Sequence, residues 1–282
     1  MDSALTHIRD QQQQTWDAFS PGWKNWDSWT MAFLRPMGTK IIEALHLRPT
    51  DQVLDIATGT GEPGLTIARL ASQGSVVGLD LSAGMLATAR ENAARQGLTN
   101  YTTLAGDACA LPFASDCFDA ISCRMGFMFF PDMLLAAQEM YRVLKPGGRL
   151  ATSVWAAPPH NPWITTMMGA LSAHLSLPAP VPQAPGMFRC AQPGLLAGLL
   201  ETAGFQNVRE EEVQGSVQFD GPDGYWQNMT EVAAPVVAAM SRADGATRAD
   251  IKANLFAKLA PLTVDGRIAL PFASLVLAGE KP

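Results

Sequence analysis

Short apolar runs bounded by turn residues recur along the first half of this chain, at 53–56, 75–80, 101–105, 118–123 and 149–155. Runs of this length flanked by Gly, Pro, Asp or Ser read as buried β-strands. Between them the spacing becomes helical. Leu65, Ala68 and Leu70 share one side of a helix over 65–72, ended by Gly74. Ser82 is an N-cap for a helix over 83–96, stopped by Gly97. A helix over 133–144 stops at Lys145-Pro146-Gly147-Gly148. Strands alternating with helices imply βαβ units with right-handed crossovers. The expected fold class is therefore α/β: a doubly wound, mostly parallel, seven-stranded sheet. A helix over 195–203, a strand over 208–219 and a long last strand over 267–279 complete it. Pro271 predicts a bulge or an edge position in that strand.

Two stretches fall outside this alternation. Trp16, Phe19, Trp23, Trp26, Trp29 and Phe33 lie within 18 positions, ahead of the first strand. Their spacing fits a helix face, which Pro21-Gly22 is expected to break. Helix resumes at 39–47. After the fifth strand, 156–192 carries Pro158, Pro159, Pro162, Pro178, Pro180, Pro182 and Pro185, with one helix over 163–175. A second insertion holds helical segments around 232–240 and 250–259. The expected organisation is an aromatic arm at 1–38, a core at 39–156, a lid insertion at 157–192, core at 193–219, a second lid insertion at 220–265 and a final core strand at 266–282. If the last strand is antiparallel, both insertions start and end at the carboxyl edge of the sheet. Insertions of that length are usually lids or binding elements.

Composition narrows the function classes. Hydrophobic residues are 48% and charged ones 16%, which fits a globular core. A net charge of −6, without a basic stripe, argues against nucleic acid as partner. Residues 1–14 are polar, and no apolar run approaches the roughly 18 residues of a membrane span, so a cytoplasmic protein is expected. Cys109, Cys117, Cys123 and Cys190 form no C-x-x-C pair, so free thiols are expected and no metal site.

The candidate chemistry gathers where strands end. Val53 to Ile56 run into Ala57-Thr58-Gly59-Thr60-Gly61, a tight turn ahead of Pro63 and a helix start. Such a turn brings backbone close to a ligand. Asp80, Asp107 and Cys123-Arg124 close the next strands, so four loops meet at one crevice beyond the carboxyl ends. Gly59, Gly61 and Gly64 fit G-x-G-x-x-G, and Asp80 lies 21 positions after Gly59. An NAD(P)-dependent oxidoreductase is therefore one alternative. Asp55 interrupts the strand before the turn, and no hydride-transfer constellation follows, which counts against it. Gly64 then reads as a helix residue beside Pro63 that matches the fingerprint by chance.

The motifs Val53-Leu54-Asp55-Ile56-Ala57-Thr58-Gly59-Thr60-Gly61, Gly78-Leu79-Asp80-Leu81-Ser82 with Met85-Leu86, Gly106-Asp107-Ala108 with Leu111-Pro112-Phe113, Phe118-Asp119 and Leu144-Lys145-Pro146-Gly147-Gly148 resemble those of class I S-adenosylmethionine-dependent methyltransferases. The branch is that of the ubiquinone and menaquinone C-methyltransferases and many small-molecule methyltransferases. The resemblance spans positions 40–156, and more loosely 190–280. It implies S-adenosylmethionine as cofactor and S-adenosylhomocysteine as product. It implies that Asp55 faces the α-ammonium group and that Ala57, Thr58, Gly59, Thr60 and Gly61 hold the methionine part. Asp80 would take the ribose hydroxyls, Leu81 and Met85 would enclose the adenine, and Asp107 and Ala108 would read its edge. Arg124 would complete the methionine pocket. The segment 124–130 departs from the quinone enzymes, which argues against a quinone precursor as substrate.

Methyl transfer from a sulfonium is an in-line displacement driven mainly by positioning. A base is needed only if the acceptor must lose a proton. Among His7, His46, His160 and His174, His160 follows the fifth strand and is the candidate. Trp23, Trp26, Phe127, Met128, Trp163 and Trp226 are candidate walls for a small, hydrophobic or aromatic acceptor, with O-methylation expected ahead of C- or N-methylation. A cofactor-binding protein without turnover is the remaining alternative. Oligomeric state, monomer or homodimer, is left open.

Overall fold

The structure, a computed structural model, describes residues 3–177, 181 and 184–282. Pro178, Pro180 and Pro182 of the proline-rich stretch lie outside the described residues. The elements are α1 (Ser3–Asn25), α2 (Asp27–Leu45), β1 (Gln52–Ile56), α3 (Gly64–Leu70), β2 (Ser75–Asp80), α4 (Ala83–Arg95), β3 (Tyr101–Ala105), β4 (Phe118–Arg124), α5 (Met133–Val143) and β5 (Leu144–Trp155). Then follow α6 (Pro162–Ser172), α7 (Leu195–Thr202), β6 (Gln206–Phe219), α8 (Gly221–Val232), α9 (Ala234–Met240), α10 (Gly245–Leu259), β7 (Thr263–Val264) and β8 (Arg267–Glu280).

The sheet runs β3-β2-β1-β4-β5-β8-β6, with β7 paired to β8 off that path. β1 to β5 are parallel, and β8 is antiparallel to β5. The expected seven strands are therefore present, and the two-residue β7 makes an eighth. It forms through the Asp265-Gly266 turn, with φ of 48° and 73°, a favoured two-residue hairpin. Strand order reverses between β1 and β4, so the crevice above their carboxyl ends is the switch point.

The chain divides into two compact units. The first takes residues up to Ala156, Pro185–Val213 and Ser274 onward; the second takes Ala157–Ala184 and Gln214–Ala273. The first unit holds the parallel sheet. Its core includes Ile41, Leu45, Val53, Leu65, Ile67, Val76, Ala120, Ala151 and Val276, each at most 5% exposed. α2 presents Thr30, Phe33, Leu34, Met37, Gly38, Ile41 and Leu45 as one buried stripe at helical spacing. The second unit is built on α6, α8, α9 and α10. Fully buried Tyr225 donates to the Trp163 carbonyl at 2.7 Å, and Trp163 Nε1 donates to Asn161 Oδ1 at 3.0 Å.

Three expectations are corrected. Pro21 does not break the first helix, which runs on to Asn25. Proline cannot donate to the carbonyl four residues back, that of Asp17, and the Ser20 hydroxyl donates to it instead at 2.9 Å. α2 starts at Asp27 rather than near position 39, with Pro36 inside it. The Lys145-Pro146-Gly147-Gly148 stretch is not outside the strand. β5 begins at Leu144, opposite Phe118, and the register shifts before Ala120 pairs with Arg149. The Ala-rich reading also missed α8, whose Pro222 stands in its first turn.

Candidate functional site

β1 ends in a buried carboxylate that shapes the glycine turn. Asp55 is 0% exposed. Its Oδ1 accepts from the Ser122 hydroxyl at 2.6 Å; its Oδ2 accepts from the Thr58 hydroxyl at 2.5 Å and from Gly64 N–H at 3.2 Å. Burial pushes this carboxyl up to about 6, against the pull of those donors and of the Arg124 charge. The Thr58 hydroxyl also meets Tyr101 Oη at 2.8 Å. Asp55 thus braces the turn. Gly64, read from sequence as a chance match, is required: a Cβ there would lie 2.6 Å from Asp55 Oδ2 and 2.9 Å from the Tyr101 ring.

The turn itself is tightly folded. Ala57, Gly59 and Gly61 have φ of 54°, 55° and 116°. A Cβ on Gly59 would meet nothing within 4 Å, so the backbone there is open to a close approach. Thr58 and Thr60 are buried. Asn92 of α4 holds the turn from behind, donating to the Thr60 carbonyl at 2.8 Å and to Asp27 Oδ2 at 3.0 Å.

Asp80, at the end of β2, accepts from Gly59 N–H through Oδ2 and from Ser82 N–H through Oδ1, both at 2.9 Å. Burial pushes its carboxyl up, those N–H groups pull it down, and neighbouring Asp17 pushes it up again. Each oxygen keeps lone-pair capacity beyond its one backbone donor. Ser82 caps α4, its Oγ accepting from Met85 N–H at 3.1 Å and donating to Asp17 Oδ1 at 2.6 Å. α1 is thereby pinned to the start of α4. Ser20 packs where a Gly84 side chain would stand, and Lys24 pairs with Glu91 at 2.6 Å.

The β3 loop lies beside Asp80, since Gly106 N–H donates to the Asp80 carbonyl at 3.1 Å. Asp107 Oδ1 accepts from Cys109 N–H at 2.8 Å, but its Oδ2 is buried without a hydrogen-bond partner among the described residues. Ala108 and Met85 are buried, and Leu81 is half-buried. Arg124 is bonded within the chain. Its Nη2 donates to the Glu62 carbonyl at 2.7 Å and its Nη1 to the Leu34 carbonyl at 3.4 Å, tying α2 to the loop after β1.

The aromatic candidates separate. Trp23, Trp26, Phe127 and Met128 belong to the first unit. Trp23 stacks edge-on with Trp16 at 5.9 Å, and Trp16 in turn meets Phe129 of the turn after β4 at 5.1 Å. Trp26 lies at the α1–α2 junction, 6.4 Å from Trp29. Phe127 and Met128 are 0% exposed. Trp163, Trp226 and His160 belong to the second unit. Trp163 is core there, Trp226 has Lys252 Nζ 5.8 Å from its ring, and His160 is exposed in a short 3₁₀ turn. Sequence reasoning missed Phe33 and Trp155, whose rings stack at 5.6 Å with a 24° tilt. It also missed Asn92, Thr30, Ser153 and Ser274, which become visible only through packing and register.

Burial pushes the Cys109 and Cys123 thiols up to about 12 and Cys190 up to about 11, so they are inert structural groups. Among the described residues no helix is long and apolar enough to cross a membrane.

Comparison with known proteins agrees with this geometry. A methyltransferase-domain family model matches residues 53–148. A demethylmenaquinone methyltransferase of Mycolicibacterium vanbaalenii is 35% identical over 185 residues, covering 62% of this chain and 77% of that protein. One from Thermus thermophilus is 44% identical over 108 residues, covering 38% of this chain and 49% of its own. The chain thus spans about half the length of some curated relatives that it matches. Among solved structures, the [4+2]-cyclase SpnF superposes with a TM-score of 0.62 at 21% identity, covering 97% of each chain. The YcgJ protein of Bacillus subtilis superposes with a TM-score of 0.59 at 20% identity, covering 88% of this chain and 98% of that one. These two likenesses bear on the fold alone, and a cyclase among them illustrates that a fold does not assign a reaction.

Proposed function

We propose that this chain, which belongs to the class I S-adenosylmethionine-dependent methyltransferases, binds that cofactor at the carboxyl edge of β1 to β4 and transfers its methyl group to a small aromatic acceptor. The observation that carries the reading is the buried Asp107 Oδ2, which has no partner among the described residues and follows Gly106, whose N–H donates to the Asp80 carbonyl. A buried carboxylate oxygen of that kind calls for a donor from outside the chain, and the exocyclic amine of adenine is one. Asp80 offers one further acceptor site on each oxygen to a vicinal diol. The open face of Gly59 admits a ligand against the backbone.

The bound cofactor supplies an activated methyl on a sulfonium. The chain supplies placement. Asp55 holds Thr58, Gly64 and Ser122 together, so the turn is set before a ligand arrives. Asn92 and Arg124 fix its two flanks. Holding acceptor and methyl group in line can supply roughly 7–11 kcal/mol of a displacement barrier. In α1 and α2, Trp16, Trp29 and Phe33 give an apolar, aromatic surround suited to a flat acceptor. O-methylation of a hydroxyl is the first expectation; relatives named for demethylmenaquinone keep C-methylation in the test panel.

S-adenosylhomocysteine at about 100-fold over its Kd stabilises by roughly 2.7 kcal/mol and should raise Tm by about 5–10 °C. NADH should not. A shift with NADH and none with S-adenosylhomocysteine would return the glycine turn to an oxidoreductase.

A further inference from the structure

A polar row crosses the otherwise apolar sheet beneath α2. Asp55 stands level with Ser122 and Ala151. Two residues on, Arg124 stands level with Ser153 and Val276, and two further on, Trp155 stands level with Ser274. Side chains in register share a face, as do residues two apart on one strand. Asp55, Ser122, Arg124, Ser153, Trp155 and Ser274 therefore lie on one side of the sheet. The stack of Phe33 on Trp155 identifies it as the side covered by α2. Thr30 stands one turn before Phe33 on the same buried stripe.

Three of these side chains lack any visible purpose in the fold. Ser153 and Ser274 are 0% exposed and Thr30 is 2% exposed. None of the three hydroxyls has a hydrogen-bond partner among the described residues. An unpaired buried hydroxyl destabilises the fold, and Ala or Val would fill much the same space without that cost. The three come from different elements, α2, β5 and β8, and all belong to the first unit. Ser153 stands toward the carboxyl end of β5, where its carbonyl accepts from Met125 N–H at 2.9 Å.

We propose that Thr30, Ser153 and Ser274 form the polar floor of the acceptor subsite, against an aromatic wall of Phe33 and Trp155, and that the acceptor is a flat aromatic compound carrying a neutral hydroxyl or carbonyl group. The proposal deepens the methyltransferase reading and rests on it. Hydroxyls both donate and accept, so they match a neutral group of either kind. The three hydroxyls themselves offer no charge to hold an anion. Beside them the Phe33 and Trp155 rings stack on each other, with Trp29 5.4 Å from Phe33, so the apolar side of the row is aromatic.

The test compares 1-naphthol with naphthalene, which lacks only the hydroxyl, by titration into protein saturated with S-adenosylhomocysteine. The wild-type protein should bind 1-naphthol about tenfold more tightly than naphthalene. In the Thr30→Val, Ser153→Ala, Ser274→Ala triple variant that ratio should fall to near one, with S-adenosylhomocysteine affinity unchanged and Tm unchanged or higher. Ser153→Ala alone should lower the ratio about threefold and serves if the triple variant does not fold. An unchanged ratio in the variants would overturn the proposal and leave the hydroxyls to internal water. So would a wild-type protein that binds S-adenosylhomocysteine but neither aromatic. If S-adenosylhomocysteine itself does not bind, the methyltransferase reading falls first, and this proposal with it.

Discussion

Asp55, expected to face a ligand, bonds Thr58, Gly64 and Ser122 within the chain. Keeping a carboxylate there has a measurable consequence. Burial raises its pKa from 3.8 to about 6, which disfavours the ionised form by on the order of 3 kcal/mol. The folded chain then holds the proton more tightly than the unfolded chain. The unfavourable contribution is complete above pH 6 and is relieved as pH falls from 6 towards 4. Urea unfolding of the wild type and Asp55→Asn between pH 7 and pH 5 should show the wild type gaining relative stability on acidification. A difference flat with pH would contradict that account. No sequence pattern exposes these contacts, because Ser122 lies on β4 and Gly64 on α3, far from Asp55 in the pattern that surrounds it.

At the scale of elements, the strands were legible because each is a short apolar run closed by a turn residue, and β1 to β4 start and stop within a residue or two of expectation. The arm was not. Pro21 carries a strong local signal against helix, and the compensating Ser20 hydroxyl acts through a contact that propensity ignores. The consequence is functional, since an unbroken α1 carries Asp17 to the cap of α4, next to Asp80. Asp17→Ala removes the acceptor of the Ser82 hydroxyl and a negative charge at a helix N-terminus, at a cost of roughly 1.5–3 kcal/mol. Limited trypsin digestion should then cut faster at Arg9 and Lys24 than in the wild type. Unchanged cleavage would mean that the aromatic contacts of Trp16 hold α1 without Asp17. The polar row of Thr30, Ser153 and Ser274 was equally hidden. Single serines in apolar runs look like noise until the register of β5 and β8 aligns them.

For the whole molecule, the switch point and the loops that meet there followed from strand and helix order, and the last strand, antiparallel only as a condition in the sequence, pairs antiparallel with β5. The side-chain chemistry of catalysis did not follow, because an in-line methyl transfer asks for placement more than for reactive groups. His160 was singled out by its position after the fifth strand, but it is exposed in its own unit. His160→Asn should keep kcat within about threefold, where loss of a true general base would cost about 10²–10⁴-fold. The central claim is that the carboxyl edge of the first unit is built for S-adenosylmethionine, with Asp107 Oδ2 waiting for its adenine. Calorimetric titration of S-adenosylhomocysteine into the wild type and Asp107→Ala tests it most directly. The account predicts one site per chain in the wild type and about 10–100-fold weaker binding in the variant, which still folds although it loses the Cys109 N–H bond. Equal affinity in the two proteins, or no binding to the wild type, would contradict it.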